Sequence, residues 1–222
     1  PSNNIGVLHV VRDLPGFRAR AASPTSNEFC FAVGPYQGQM SARGESIALL
    51  DDTGTEIAST NWPASPSGAQ NHLRVSELMY NPEPPTPAET SAIPFCVASD
   101  FEYIEIVNPN GPEINLAGCR FTEGIQFTFP PETWLSAGGR LVIAANAAAY
   151  ALRYGSTPAL IGEYEGYLDN GGERIQLEDA YGEVILDFTY GGGWVPVTDG
   201  LGFSLVIDDE TAPWTEWDEP DA

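Results

Sequence analysis

Residues 34–58, GPYQGQMSARGESIALLDDTGTEIA, align without a gap against residues 162–186, GEYEGYLDNGGERIQLEDAYGEVIL, at an offset of 128. Ten of the 25 positions are identical: Gly34, Tyr36, Gly38, Gly44, Glu45, Ile47, Leu49, Asp51, Gly54 and Ile57 each recur. Upstream the likeness continues at an offset of 133, where Leu8, Val10, Phe17 and Arg20 face Leu141, Ile143, Tyr150 and Arg153. The change of offset implies five extra residues in the first copy, placed around Ser26–Cys30. Each copy reads as a strand, a short helix, a loop, then two strands around a turn. The second copy is preceded by residues 73–138, which have no counterpart before the first. Residues 1–60 therefore read as the rear half of a domain. Half a β-sandwich leaves a core face and open strand edges uncovered, which is unstable alone. The expectation is that the adjoining domain or another chain completes it.

Residues 61–72, NWPASPSGAQNH, are rich in Pro, Ser, Gly and Asn and read as a linker. Residues 73–207 read as a complete domain. Period-two patterning predicts strands at 75–80, 101–107, 119–122, 125–129, 140–145, 174–179, 183–190 and 203–207, with the apolar run RLVIAA at 140–145 as a central strand. One helix is predicted over 146–154, capped by Asn146 and ended by Gly155. Many short strands with Gly- and Asn-bearing turns imply an all-β, two-sheet immunoglobulin-like sandwich with one short helix, plus the partial second sandwich. Residues 208–222 hold seven acids and no Arg, and read as an acidic tail or a further linker, with Trp214 and Trp217 able to pin it to a surface.

The charge is −22, with 9 basic against 31 acidic residues, and every basic residue is Arg. Residues 1–72 carry net −2 and residues 73–222 net −20. A field of this sign repels nucleic-acid phosphates and anionic membranes, so neither is an expected partner. The absence of Lys excludes a Schiff-base lysine. Three cysteines, Cys30, Cys96 and Cys119, are too far apart for a CxxC zinc or redox motif. No apolar run is long enough to span a bilayer, and membrane insertion is not expected.

Chemistry-bearing constellations are sparse. His9 sits in an apolar strand and His72 in the linker, with no triad pattern and no GxSxG. Glu102 and Glu105 fall on opposite faces of a strand, so they form no dyad. Glu77 and Glu105 can meet across strands, and the repeated Glu45 and Glu173 suit turn hydrogen bonding. Calcium is the one cofactor expectation. It needs six to eight oxygens on close loops, and Asp169, Asp179, Asp199, Asp208 and Asp209 are the candidate ligands, although no D-x-D-x-D-G loop occurs. Tyr164, Trp194, Phe203, Trp134 and Tyr190 read either as core or as a carbohydrate platform.

SELMYNP (76–82), EYIEIVNPNGPEINLAGCRF (102–121), GGRLVIAAN (138–146), LDNGGERIQLEDAYGEVILDFTY (168–190) and DGLGFSL (199–205) follow one another in an order and spacing that resembles bacterial lamin-tail domains. The resemblance implies an immunoglobulin-like sandwich without catalytic residues, placed in secreted or surface proteins. Nuclear relatives bind proteins and in places DNA, a use the charge here does not support. Two departures stand out. A Pro-rich insertion, PEPPTPAETSAIPFCVASD at 82–100, separates the first two strands, and Cys119 stands where the family usually has Trp. Cys96 in that insertion either folds back to bridge Cys119 or both remain buried thiols. The expected function is a non-enzymatic extracellular assembly module of tandem sandwiches. Its partners would be other protein chains, either copies of itself or adjacent domains, with filaments as one consequence. The rival expectation is a glycan- or calcium-binding targeting module of a larger secreted hydrolase.

Overall fold

The computed structural model describes residues 7–21, 30–38, 40, 41 and 43–218. The expected five-residue insertion around Ser26–Cys30 falls largely outside them. The chain divides into two compact units, Pro1–Ser41 and Ala42–Ala222. The boundary expected near residue 60 thus moves upstream, because the hairpin after residue 44 groups with the second unit.

In the first unit, β1 (Val7–Val10) pairs in parallel with β2 (Cys30–Val33), in register from Val7 opposite Cys30 to Val10 opposite Val33. Between them lies α1 (Leu14–Ala19). Asp13 caps this helix by accepting the Gly16 N–H at 3.1 Å, and Pro15 occupies its first turn, where its missing donor costs nothing. The His9 ring stacks on Phe17 at 5.1 Å, and the Arg20 guanidinium lies 4.3 Å over the same ring. His9 is therefore a packing residue.

The second unit opens with an antiparallel hairpin, β3 (Glu45–Leu50) and β4 (Glu56–Trp62). There follow α2 (Gly68–His72), β5 (Arg74–Met79), α3 (Pro87–Ala92), β6 (Tyr103–Val107), β7 (Ile114–Asn115), β8 (Arg120–Glu123), β9 (Ile125–Thr128) and β10 (Trp134–Leu135). The rear half contains β11 (Arg140–Ala144), α4 (Ala147–Arg153), β12 (Ala159–Glu163), β13 (Glu165–Gly166), β14 (Arg174–Glu178), β15 (Val184–Thr189) and β16 (Leu205–Val206). Two five-stranded sheets, β12-β11-β6-β5-β16 and β13-β9-β8-β14-β15, form the sandwich. One buried cluster joins them: Val75, Ile104, Ile106 and Ile143 from the first sheet meet Phe121, Ile125, Ile175, Leu177, Leu186 and Phe188 from the second. Burying each such side chain stabilises by roughly 1.5–3 kcal/mol. The fold is the expected all-β, immunoglobulin-like sandwich.

The first sheet is covered on both faces, and this explains why every residue of β6 is buried. Its second face packs Met79, Tyr103, Val142 and Ala144 against Tyr150 of α4. The central strand is β6, with β11 beside it, so the apolar run at 140–145 is next to central.

Three segments are more ordered than their composition suggests. The expected linker 61–72 holds the end of β4 and all of α2. Ser67 and Gln70 cap α2 reciprocally, Ala69 enters the core, and the Gln70 side-chain amide donates to the Val184 carbonyl at 2.8 Å. The Pro-rich insertion folds as α3 and a single 3-10 turn at Ala98–Phe101. Arg153 of α4 holds it. Its guanidinium donates to both carboxylate oxygens of Glu89 at 2.8 and 2.9 Å and to the Glu83 carbonyl at 2.9 Å, and lies 3.4 Å over the Phe101 ring. Of the two alternatives for Cys96 and Cys119, a bridge or two buried thiols, the structure has the second. Both are buried free thiols, Cys96 against Phe101 and Ala149, and Cys119 in the core between the sheets. Burial pushes the Cys119 thiol up to about 11, so it stays protonated and inert. The described part of the acidic tail, 208–218, is packed down: Trp217 is buried with its ring 5.1 Å from Phe188, and the Thr189 N–H donates to Asp218 at 2.5 Å. Glu210 accepts from Arg140 at 2.6 Å, and the Ala212 carbonyl accepts from Arg74 at 3.0 Å.

Candidate interaction surface

The two sequence repeats have the same elements in the same order. Shifted by 133, β1 falls on β11, Asp13 on the Asn146 cap, and α1 on α4; β1–β2 and β11–β12 are both parallel pairs. Shifted by 128, β3 falls on β14 and β4 on β15, and the agreement reaches single bonds. Asp51 Oδ1 accepts the Thr53 and Thr55 N–H groups at 2.8 and 2.9 Å; Asp179 Oδ1 accepts those of Tyr181 and Glu183 at 2.8 and 3.0 Å. Gly54 and Gly182 close these turns at φ +84° and +83°, a region that favours glycine. Both hairpins bulge at the same place, between Leu49 and Leu50 in one and Leu177 and Glu178 in the other. Turn, bulge and register are thus written locally in each copy.

The surroundings differ. In the complete copy β14 lies between β15 and β8, and Ile175, Leu177 and Ile185 are 0% exposed. In the first copy β3 and β4 form a two-stranded sheet, with no strand on the other edge of β3 among the described residues. The equivalent Ile47, Leu49 and Ile57 are 36%, 47% and 62% exposed. The same holds in the first unit, where Val10 is about half exposed while its counterpart Ile143 is fully buried. Apolar residues that form a core in one copy are solvent-facing in the other. Apolar side chains left uncovered on the β3–β4 hairpin mark it as a candidate interaction surface.

The expected metal ligands do not converge. Among the described residues no group of three or more His, Cys, Asp or Glu side chains could hold a metal ion. Four of the five accept hydrogen bonds from protein donors instead. Asp169 accepts the Gly171 N–H at 2.7 Å within its own turn. Asp179 holds the β14–β15 turn and pairs with Arg43 at 3.1 Å. Asp199 accepts from Asn81 at 2.5 Å, and Asp209 accepts from the Thr211 hydroxyl and N–H at 2.6 and 2.8 Å, with Asp208 one residue before it. Short turns in which carboxylates cap backbone donors do not gather six oxygens around one point.

Carboxylates elsewhere are also structural. Glu77 and Glu105 are cross-strand partners, as the register expectation allowed, yet their side chains turn to different donors. Glu77 accepts from Tyr103 at 2.6 Å and from Ser204; Glu105 accepts from Ser76 at 2.7 Å and from Arg140 at 2.5 Å. Glu102 is buried at the start of β6. Its Oε2 accepts the Leu168 N–H at 2.8 Å and the Tyr164 hydroxyl at 3.1 Å, and burial raises it to about 7. It lines a cleft of about 490 Å³ together with Tyr167 and Asp169. The one side-chain hydroxyl bonded to it among the described contacts, that of Tyr164, is itself buried, and the two bonds tie β6 to the segment before β14. Glu173 accepts the Asp169 N–H at 2.9 Å, a turn role.

The aromatic platform is not assembled. Tyr164 and Tyr190 are core, Trp194 packs against it, and only Trp134 and Phe203 of the five are exposed. Trp134 shares a cleft of about 410 Å³ with exposed Tyr181 and with the Arg43–Asp179 pair, an arrangement that sequence spacing does not bring together.

The description Lamin Tail Domain belongs to the family model that matches residues 66–192. No curated protein matches the chain. The match runs from α2 through β15, covers more than half of the sequence, and takes in every strand of the two-sheet sandwich except β16: the chain belongs to the lamin tail domain family.

Proposed function

We propose that this protein is a non-enzymatic interaction module of the cell exterior, built from tandem lamin-tail-like sandwiches. In this reading residues 1–60 are the rear half of a second sandwich, and strands from a neighbouring chain complete it. The single observation that carries the reading is the exposure of Ile47, Leu49 and Ile57 where the equivalent Ile175, Leu177 and Ile185 are core. A polypeptide that keeps core residues, turn and bulge of a sandwich keeps them for a partner that buries them. The family's immunoglobulin-like fold is a non-catalytic one, and the carboxylates are committed to backbone and arginine partners, which supports a binding role over catalysis. The strong negative charge favours solubility outside the cell and disfavours nucleic acid as the partner.

Light scattering of the purified chain tests the assembly reading. The expected result is a native mass several times 23.8 kDa at micromolar concentration. A monodisperse monomer across the accessible concentration range would remove self-assembly. The cleft under Trp134 and Tyr181 favours a second reading, a carbohydrate-targeting module, since exposed rings beside an Arg–Asp pair can stack on and hydrogen-bond a sugar. Calorimetric titration with oligosaccharides, using Trp134→Ala as the control, decides that reading.

A further inference from the structure

We infer that the β3–β4 hairpin is a docking site for a lamin-tail front half on another polypeptide segment, whose strand adds along β3 in the register that β8 takes on β14. The inference rests on the tandem reading above and adds the edge, the register and the chemistry of the partner. In the complete copy, Glu123, Phe121 and Arg120 of β8 stand opposite Gln176, Leu177 and Glu178. Shifted by 128, those positions are Ala48, Leu49 and Leu50. The incoming strand therefore sets a large apolar side chain opposite Leu49, as Phe121 is set opposite Leu177.

Two differences between the hairpins specify the partner further. Arg120 donates to Glu178 at 2.7 Å, but Leu50 replaces that glutamate and is exposed. The incoming residue at the Arg120 position is accordingly apolar, since an arginine there would lose its acid. On the second strand, Ala58 and Thr60 stand where Leu186 and Phe188 fill the core. Cores conserve volume, so the partner's inward side chains are bulkier than those of this chain's own front half. The outer edge of the complete hairpin, by contrast, is already closed: Asp218 accepts the Thr189 N–H, and Gln70 donates to the Val184 carbonyl. By the repeat, strand addition is assigned to the β3 edge, the counterpart of the β14 edge that β8 takes, and no strand lies on it among the described residues.

The probe is a synthetic peptide copying Arg120–Phe129 of this chain with Arg120→Leu, titrated into the isotope-labelled 222-residue protein and followed by NMR. The site predicts amide shifts confined to Glu45–Trp62 and amide exchange in β3 slowed at least tenfold at saturation. It predicts tenfold weaker binding to Leu49→Asp and weaker binding of the peptide that keeps Arg120. Shifts elsewhere on the sandwich, or equal binding to Leu49→Asp, would overturn it. Native mass separates this from the assembly reading. An oligomer whose β3 amides exchange freely keeps tandem assembly and sinks this site. A monomer that binds the peptide at the hairpin keeps the site and sinks self-assembly.

Discussion

Two hairpins with one design, β3–β4 and β14–β15, stand in opposite environments within the same compact unit. Their turns share an aspartate that accepts two backbone N–H groups, a glycine at positive φ, and a bulge at the same step. One has lost its apolar face to the core, and the other shows it to solvent. The contrast separates what local sequence determines from what packing determines. Hairpin geometry is local and survives without cover. The stabilisation that makes such a hairpin worth forming comes from burial, which only the second copy has.

Matched substitutions probe this contrast with the largest effect. Leu177→Ala empties a fully buried site and is expected to cost about 3 kcal/mol, whereas Leu49→Ala is expected to stay within about 0.5 kcal/mol. Chemical denaturation of both variants checks this, and equal costs would erase the distinction between the hairpins. Next in size is Arg153→Ala, which removes the bidentate Glu89 pair and the Phe101 contact. A loss of roughly 2 kcal/mol is expected, with α3 and the 3-10 turn becoming sensitive to proteolysis. Among the described contacts Arg153 makes none with the β3–β4 hairpin, so exchange there should not change.

The turn aspartates give a smaller difference. Asp179→Ala should cost about 2 kcal/mol, because it strips two backbone donors and the Arg43 partner of a buried carboxylate. Asp51→Ala should loosen only its own exposed hairpin, read as faster local exchange of the β3 and β4 amides. The smallest effect is on pH. Glu102 has a folded value of about 7, above the ordinary carboxyl value, so the folded state binds more protons than the unfolded one between about pH 4.5 and 7. Stability therefore falls as pH rises through that window. Glu102→Gln should flatten the slope of melting temperature against pH there; an unchanged slope would remove Glu102 as its source. At lower pH the opposite sign applies to Glu89, which Arg153 holds down to about 2. Its contribution is present above pH 4.5 and is lost as pH falls toward 2.

Much of this was legible in the sequence for one reason: the strands alternate and the turns carry Gly, Asn and Asp at the positions that need them. Ile104 and Ile106 facing one way from Tyr103, and Asn146 and Gly155 bounding α4, follow from periodicity and capping alone. Tertiary events were hidden. The composition of 61–72 concealed α2, although Ser67-x-x-Gln70 is a capping box, and Thr86-Pro87-x-Glu89 marks α3 in the same way. Trp217 sits among acids, and no local pattern says that its ring lies against Phe188. Spacing left both a Cys96–Cys119 bridge and two buried thiols open; the thiols stay apart because the insertion folds onto α4 through Arg153, which seats Cys96 in a cluster separate from the core that holds Cys119. Of the acidic residues read as calcium ligands, Asp169, Asp179 and Asp209 accept backbone N–H groups in their own turns, a use that composition cannot distinguish from metal binding.

Whether the first hairpin lacks cover within its own chain is read most directly by native-state hydrogen exchange, at a concentration where the chain is monomeric. The β14 and β15 amides are expected to exchange only through global unfolding. The equivalent β3 and β4 amides are expected to exchange through local opening with protection at least a hundredfold lower, on the order of 3 kcal/mol. Equal protection in the two hairpins of the monomer would contradict this, because the first would then be covered from within the chain.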